Sequence, residues 1–123
     1  MVLAFDFAKD MLPPKLRGQM AELLVWLAET FLTIRNGNPH IVTNNWYMLT
    51  HGACCLAAMA ADGELDTRGK KLDCSHLERW ALHRSHAFCQ HFGNAGLYHE
   101  GSGYICYTLS MLAPLIVALR NKR

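Results

Sequence analysis

Charged residues are scarce in this chain. Asp, Glu, Lys and Arg together make up 18% of its 123 residues, and the formal net charge is +2. Outside the tail, residues 120–123, no run is rich in lysine or arginine. Because a nucleic-acid interface needs a basic patch, we predict no nucleic-acid partner. Apolar residues make up 51% of the chain, which excludes a disordered protein and allows one domain with a hydrophobic core.

Familiar metal-binding spacings are also missing. The sequence has no Cys-x-x-Cys, no Glu-x-x-His and no His-Glu-x-x-His, which are typical of zinc sites, di-iron bundles and zinc proteases. His76, His83 and His86 share one predicted helix, and a helix with solvent-facing histidines accounts for their spacing. We therefore predict no metal and no cofactor.

The five cysteines are odd in number and lack any zinc-ribbon spacing. Cys54, Cys55 and Cys106 lie in apolar helical runs, where a free cysteine behaves as a small hydrophobic residue. Residues 1–10 have no basic region and are interrupted by Asp6, so they match a signal peptide poorly. These features favour a reducing, cytoplasmic compartment.

No stretch shows the two-residue alternation of a strand, and apolar residues recur at helical steps. We predict an all-α fold, a single domain over residues 1–123 with about four helices arranged as two antiparallel hairpins. The predicted helices cover residues 13–36, 43–62, 75–92 and 103–120. A loop rich in tyrosine, glutamate and glycine covers residues 93–103.

Side-chain patterns predict how these helices are buried. One apolar stripe on the first helix consists of Leu16, Met20, Leu23, Leu24, Leu27, Phe31 and Ile34. The second helix is small or apolar on all sides over residues 52–61, which is typical of a buried helix. The last helix contains Pro114, which is expected to kink it, and is shorter than the ~20 apolar residues of a membrane span. We predict no membrane span.

Polar chemistry concentrates in the loop and in the start of the last helix. Ser102 or Gly103 can cap the helix that begins at Tyr104. Free N–H groups and the positive end of the helix dipole gather there, which favours an anionic ligand and the phenolate form of tyrosine. The alternative is that Tyr98, Tyr104 and Tyr107 are ordinary packing residues.

Two stretches together resemble the heparinase II/III-like polysaccharide lyases. Thr43-Asn44-Asn45-Trp46, with Gly52 and an alanine-rich helix after it, is similar to the family's Asn-Asn-Trp…Gly segment. Tyr98-His99-Glu100-Gly101-Ser102-Gly103-Tyr104-Ile105-Cys106-Tyr107 is similar to the family loop Tyr/Pro-x-Glu-Gly-x-x-Tyr-x-x-Tyr. Both occur in the family's order, and the resemblance covers roughly residues 40–120.

The resemblance implies a segment of an (α/α) toroid that acts on or binds acidic, uronate-containing polysaccharide, with β-elimination as the chemistry. In that reaction a polar group neutralises the uronate carboxylate, a base removes the C5 proton and an acid protonates the departing oxygen. Tyr104 corresponds to the acid or base, and Asn45 and His51 are both candidates for carboxylate neutralisation or proton transfer. The residues implied to bind sugar are Trp46, Tyr98, His99, Glu100 and Tyr107.

The chain also departs from the family. It has no room for the family's β-sandwich domain, so we do not expect full lyase activity from this chain alone. The family normally carries an export signal, which would favour a periplasmic or secreted location. A fragment or miniature of the toroid would expose apolar edges, which a second copy or a missing domain would cover. The alternative is a non-catalytic helical interaction protein that dimerises through its first and last helices.

Two further chemical patterns remain open. Residues 35–40 and 84–91 each pair an arginine with a later histidine, which resembles the motif of HEPN ribonucleases. Cys89 is three residues from His86, as a cysteine nucleophile and its base could be, although nothing in the sequence orients that histidine.

Overall fold

The structure is a computed structural model that describes residues 1–36, 45–90 and 102–122. Within these ranges the chain forms five α-helices and a short 3-10 turn over Lys9–Met11. The helices are α1 Val2–Ala8, α2 Pro14–Asn36, α3 Asn45–Ala61, α4 Ser75–Cys89 and α5 Ser102–Asn121. The predicted all-α fold is confirmed.

The centre of the fold is α3, which packs against α1, α2, α4 and α5. Residues Cys54 to Ala58 are all buried, and so are Ala60 and Ala61. Their small side chains let neighbouring helices approach from every side. The prediction that this helix is buried is confirmed.

Contacts along the helices show that α2 and α3 are antiparallel. Near the start of α2, a Cβ built on Gly18 would lie 3.0 Å from the carbonyl oxygen of Leu65, which follows the end of α3. Near the end of α2, Phe31 lines the same cleft as Leu49, which is close to the start of α3. These two helices form the first hairpin.

α4 and α5 each pack mainly on α3, and an ion pair links them at one end. Lys122, just after α5, pairs with Glu78 in the first turn of α4 and lies 3.9 Å from Asp62, which follows α3. Ten residues earlier on α3, the Gly52 position faces the Met111 side chain of α5, so α5 runs parallel to α3. The backbone N–H of Cys74 donates to Asp62, and the Cys55 thiol lies 3.9 Å from the carbonyl oxygen of Glu78, so α4 runs antiparallel to both helices. This helical packing is compatible with a segment of an (α/α) toroid.

The segment before Pro13 forms a helix that the sequence analysis did not predict. It packs on α3 through Phe5, which is completely buried. With 7 residues, α1 is too short to show a repeating apolar stripe, and helices of this length depend on tertiary packing.

The predicted stripe of α2 is only partly its buried face, since Leu24 lies in the core and Met20 packs against it. The buried residues of α2 are Gly18, Ala21, Leu24, Ala28 and Leu32. Leu16, Leu23 and Phe31 are 43–46% exposed, and Trp26 is 58% exposed. Small residues face the core where α2 lies close against α3 and the segment after it, as Gly18 does against Leu65 and Asp66.

The polar segment between α3 and α4 folds into a compact turn closed by an antiparallel bridge between Leu65 and Lys71. Gly63 and Gly69 take φ values of +82° and +78°, which L side chains rarely adopt. Inside the turn, Asp66 Oδ1 accepts hydrogen bonds from the backbone N–H groups of Arg68 and Lys70 at 2.9 and 2.7 Å. The segment is therefore a structured part of the fold that connects α3 to α4.

No helix in the described ranges is both long enough and apolar enough to cross a membrane. Pro114 lies inside α5, and the helix continues through it to Asn121.

Candidate functional site

The first turns of α3 and α5 lie at the same end of the bundle. The two helices are parallel and in contact, because Gly52 faces Met111 and Asp62 lies 3.9 Å from Lys122. Residues 45–51 and 102–107, which we call the α3/α5 end, are therefore neighbours. The two sequence stretches that resemble the lyases thus begin their helices side by side.

The backbone and charge of the α3/α5 end favour an anion. The first N–H groups of a helix have no partner within the helix, and they carry the positive end of its dipole. Neither α3 nor α5 has an acidic residue in its first turn to offset that charge. These termini are the positive poles of α3 and α5, while the antiparallel helices α2 and α4 end with their negative poles at the same end of the bundle.

The two site residues whose side chains are described differ in exposure. His51 is 2% exposed on α3, and Tyr107 is 59% exposed on α5. The imidazole is therefore inside the bundle, whereas the phenol is on its surface. Thr108 of α5 is also completely buried. In the sequence it is marked only as a polar residue that interrupts an apolar run.

For three of the remaining predicted site residues the structure describes the backbone only, and for the other three it describes nothing. Asn45, Trp46 and Tyr104 have helical backbones in the first turns of α3 and α5, while their side chains lie outside the described set. Tyr98, His99 and Glu100 lie outside the described residues altogether. The predicted convergence of these groups on one cleft remains a prediction.

A charged network at the opposite end of the bundle is structural in character. Glu64 is 8% exposed and accepts a hydrogen bond from Arg17 Nη2 at 2.8 Å, with Lys9 Nζ 3.8 Å away. The hydrogen bonds from Arg17 lower the pKa of Glu64 and, in return, raise that of the guanidinium. Arg17 also pairs with Asp10 at 2.9 Å. The network ties the start of α2 to the end of α3.

A second ion pair links the first turn of α4 to the residue after α5 at this end. The ammonium group of Lys122 pairs with Glu78, and the hydrogen bond raises the pKa of the lysine. Asp62 lies near the same ammonium and also accepts the backbone N–H of Cys74 at 3.0 Å. Each acidic group here has a basic or N–H partner, which indicates a structural role.

Burial makes the inner cysteines poor nucleophiles. Desolvation raises the pKa of Cys54 to about 11 and of Cys55 to about 12. Burial also raises the pKa of Cys89, and its proposed base, His86, lies 3.4 Å from the amide nitrogen of Gln90. A cysteine nucleophile needs a lowered pKa, so these contacts do not favour a Cys–His pair.

Among the residues that can be described, no three His, Cys, Asp or Glu side chains lie together as a metal site requires. The two HEPN-like patterns end at His40 and His91, both outside the described ranges. That interpretation stays a prediction.

A separate apolar cleft lies between α2 and α3. Its volume is about 320 Å³, and its wall consists of Met1, Val2, Leu24, Leu27, Ala28, Phe31, Leu49, Thr50, Ala53, Cys54 and Ala57. We call it the α2/α3 cleft. The sequence analysis did not identify it, because its wall combines residues from three separate helices.

The support for a family rests on the two sequence stretches alone. The chain matches no family model, no curated protein and no solved structure.

Proposed function

We propose that this chain is a helical module that binds acidic, uronate-containing polysaccharide at the α3/α5 end, in the manner of a heparinase II/III-like toroid segment. The observation that supports it is the parallel packing of α3 and α5. Contacts at Gly52 and at Lys122 bring two stretches that are distant in sequence to one end of the bundle. A single cleft built from both stretches requires this arrangement.

The chemistry proposed for the ligand rests on the first turns of α3 and α5. A uronate residue carries a carboxylate, and adjacent helix N-termini without acidic residues favour an anion. Tyr107, exposed on α5, offers an aromatic face and a hydroxyl to a sugar ring. Asn45, the first residue of α3, would donate to the carboxylate from its amide.

The proposed reaction is β-elimination. A base removes the C5 proton, the electron pair forms the C4–C5 double bond, and the C4–O bond breaks as an acid protonates the departing oxygen. Tyr104 would be that acid or base, because it corresponds to the tyrosine of the Glu-Gly-x-x-Tyr pattern that the loop resembles. His51 is buried, so in this conformation its role would be to position neighbouring groups rather than to touch the polymer.

Binding is tested first, by calorimetry with heparin, heparan sulfate, alginate and chondroitin at low salt. We expect Asn45→Ala and Tyr107→Phe to weaken binding several-fold, since each removes one polar contact. Asn121→Ala is the matched control, because Asn121 is exposed at the other end of α5. Absence of binding to all four polymers would overturn the proposal.

Turnover is tested next, by the ultraviolet absorbance of new unsaturated uronate ends. Product from the parent chain that falls by about 100-fold or more in Tyr104→Phe would assign that tyrosine to proton transfer. Tyr107→Phe should keep the reaction and change mainly the substrate concentration it needs. Binding without product would leave a non-catalytic binding module.

A second candidate function is a helical interaction protein, and the exposed apolar side chains favour it. Leu23 and Trp26 on α2 and Ile116 and Val117 on α5 are 44–58% exposed. Sedimentation of the parent chain tests it against Trp26→Lys and Ile116→Lys. Leu82→Lys on α4 is the control, because Leu82 is also partly exposed. An assembly that only the first two variants dissociate would favour this function.

A further inference from the structure

The α2/α3 cleft exists because small residues face each other across the two helices. Ala28 on α2 and Ala53 and Ala57 on α3 are too short to fill the space between the helix backbones. Larger side chains, among them Leu24 and Phe31, also line the cleft. The result is a cavity of about 320 Å³ on the side of α3 that faces α2, away from the α3–α5 contact at Gly52.

The wall of the cleft is almost entirely hydrocarbon. None of its described residues carries a charged side chain, and the polar side chains are the Thr50 hydroxyl and the Cys54 thiol. Burial keeps that thiol protonated at neutral pH, since it raises the pKa of Cys54 to about 11. Ions and acidic sugars would lose hydration here without gaining a partner. The cleft therefore selects a neutral, apolar molecule.

Size distinguishes a small molecule from a protein partner. A cavity of ~150 Å³ lined by apolar residues stays dry and binds benzene, and this cleft, at about 320 Å³, is roughly twice that size. It holds on the order of ten non-hydrogen atoms at the ~30 Å³ that a water-sized group takes in a liquid. A helix of a partner is ~10 Å wide and could insert only a side chain or two.

We propose that the α2/α3 cleft is a binding site for a small neutral apolar molecule, such as a medium-length alkyl or a single aromatic ring, with one hydroxyl-sized polar group near Thr50. A ligand in the cleft would make the van der Waals contacts that the short alanine side chains do not make. Missing contacts of this kind lower the free energy of unfolding of a protein. This site lies on the side of α3 that faces α2, and it shares only Leu49 and Thr50 with the α3/α5 end of the polysaccharide proposal.

The test uses the full chain and a homologous series of straight-chain alcohols from butanol to dodecanol, with toluene as the aromatic probe. Binding is measured by calorimetry and by the rise in melting temperature. Ala53→Leu fills the cleft from its floor, and Ala113→Leu, which adds the same atoms at an exposed position of α5, is the matched control. Thr50→Val replaces the hydroxyl with a methyl group.

We expect affinity to rise about fourfold per added methylene, as the transfer of a CH₂ group from water predicts, and to level off once the cleft is full. Ala53→Leu should weaken octanol binding by at least tenfold, while Ala113→Leu leaves it unchanged. Thr50→Val should weaken octanol more than toluene.

Three results would overturn the proposal. The first is equal octanol binding by Ala53→Leu and the parent. The second is affinity that keeps rising through dodecanol, as on an open surface. The third is a dimer of the parent that Ala53→Leu dissociates, which would make a second copy the occupant.

A measurement on the unmodified chain guards against misfolding of the variants. Octanol should slow the reaction of Cys54 with a thiol reagent at pH 10 and leave exposed Cys106 unaffected. Equal rates with and without octanol would count against the site.

Discussion

Two apolar helices of this protein, α3 and α5, have very different surroundings. Every residue of α3 from Cys54 to Ala58 is buried. On α5, Leu115 is buried, whereas the next two residues, Ile116 and Val117, are 55% and 57% exposed. The two helices have similar apolar character in sequence, but α3 has neighbours on four sides and α5 packs chiefly against α3.

The difference shows that an apolar sequence allows a helix to be buried, whereas the number of helices packed around it determines how much of it is buried. Small residues such as Gly52 and Ala58 let several helices approach α3 closely. α5 carries longer side chains, and one of its faces reaches solvent in the described structure. A segment of a toroid would also expose an apolar helix face, at the edge where the next hairpin packs in a complete ring.

The largest expected contrast between the two helices is in thiol reactivity. At neutral pH Cys106 should react quickly, because it is exposed. Burial raises the pKa of Cys54 to about 11 and of Cys55 to about 12. Against the ordinary thiol pKa of 9.0, their thiolate fractions at neutral pH fall by roughly 100-fold and 1,000-fold.

Mass spectrometry of maleimide-labelled peptides measures these rates. Cys106→Ser should remove the fast phase. A slow Cys106 in the parent would mean that its face of α5 is covered in solution, which would remove the contrast.

Leu115 and Ile116 are neighbours on α5, and comparing them tests whether one face of the helix is buried and the other exposed. Leu115→Ala should lower the free energy of unfolding by about 2–5 kcal/mol, because it leaves a cavity in the core. Ile116→Ala, on the exposed side, should cost less than about 1 kcal/mol. Urea unfolding measures both. Equal losses would show that a partner covers the outer face.

Adding volume tests the same comparison in the other direction. Ala58 is completely buried on α3, so Ala58→Leu should destabilise the protein by about 1–3 kcal/mol through overpacking. Ala113→Leu adds the same atoms at an exposed position of α5 and should stay within about 0.5 kcal/mol of the parent. If chemical denaturation finds Ala58→Leu neutral, α3 is more loosely enclosed than its burial indicates.

The smallest expected effect concerns the polar ties at the ends of the two helices. Glu64, after α3, is 8% exposed and bonded to Arg17, so Glu64→Gln should cost about 1–2 kcal/mol at pH 7. Glu78→Gln should cost less, because its partner Lys122 is 42% exposed.

The pH dependence of Glu64 has a defined sign. Its pKa is lowered in the folded protein, so its stabilisation is complete above the ordinary glutamate value of ~4.3 and is lost as pH falls through the lower folded pKa. Urea unfolding from pH 7 to pH 3 should therefore show a smaller acid loss in Glu64→Gln. A parallel acid loss in parent and variant would contradict this assignment.

Local patterns were sufficient for much of the fold. Helical periodicity and the absence of strand alternation predicted an all-α chain, and the small residues of 52–61 predicted a buried helix. Proline before α2 and Asp62-Gly63 after α3 marked helix ends within a residue or two. These features depend on residues that are close along the chain, so they can be predicted from a single sequence.

The candidate site was only partly predictable. The sequence identified two stretches, and the contacts at Gly52 bring the starts of their helices to one end. It could not predict that His51 is buried while Tyr107 is exposed, because burial depends on which side of α3 meets α5.

The sequence by itself determined the helices, their approximate ends and the burial of α3, since propensity and periodicity act over a few residues. Only the tertiary structure decided that α2 turns Ala21 and Ala28 inward, that Phe5 anchors a short first helix, and that facing alanines leave a cleft. Each of these depends on how closely two distant segments approach. Close packing, which couples every side chain to its neighbours in space, is the physical reason.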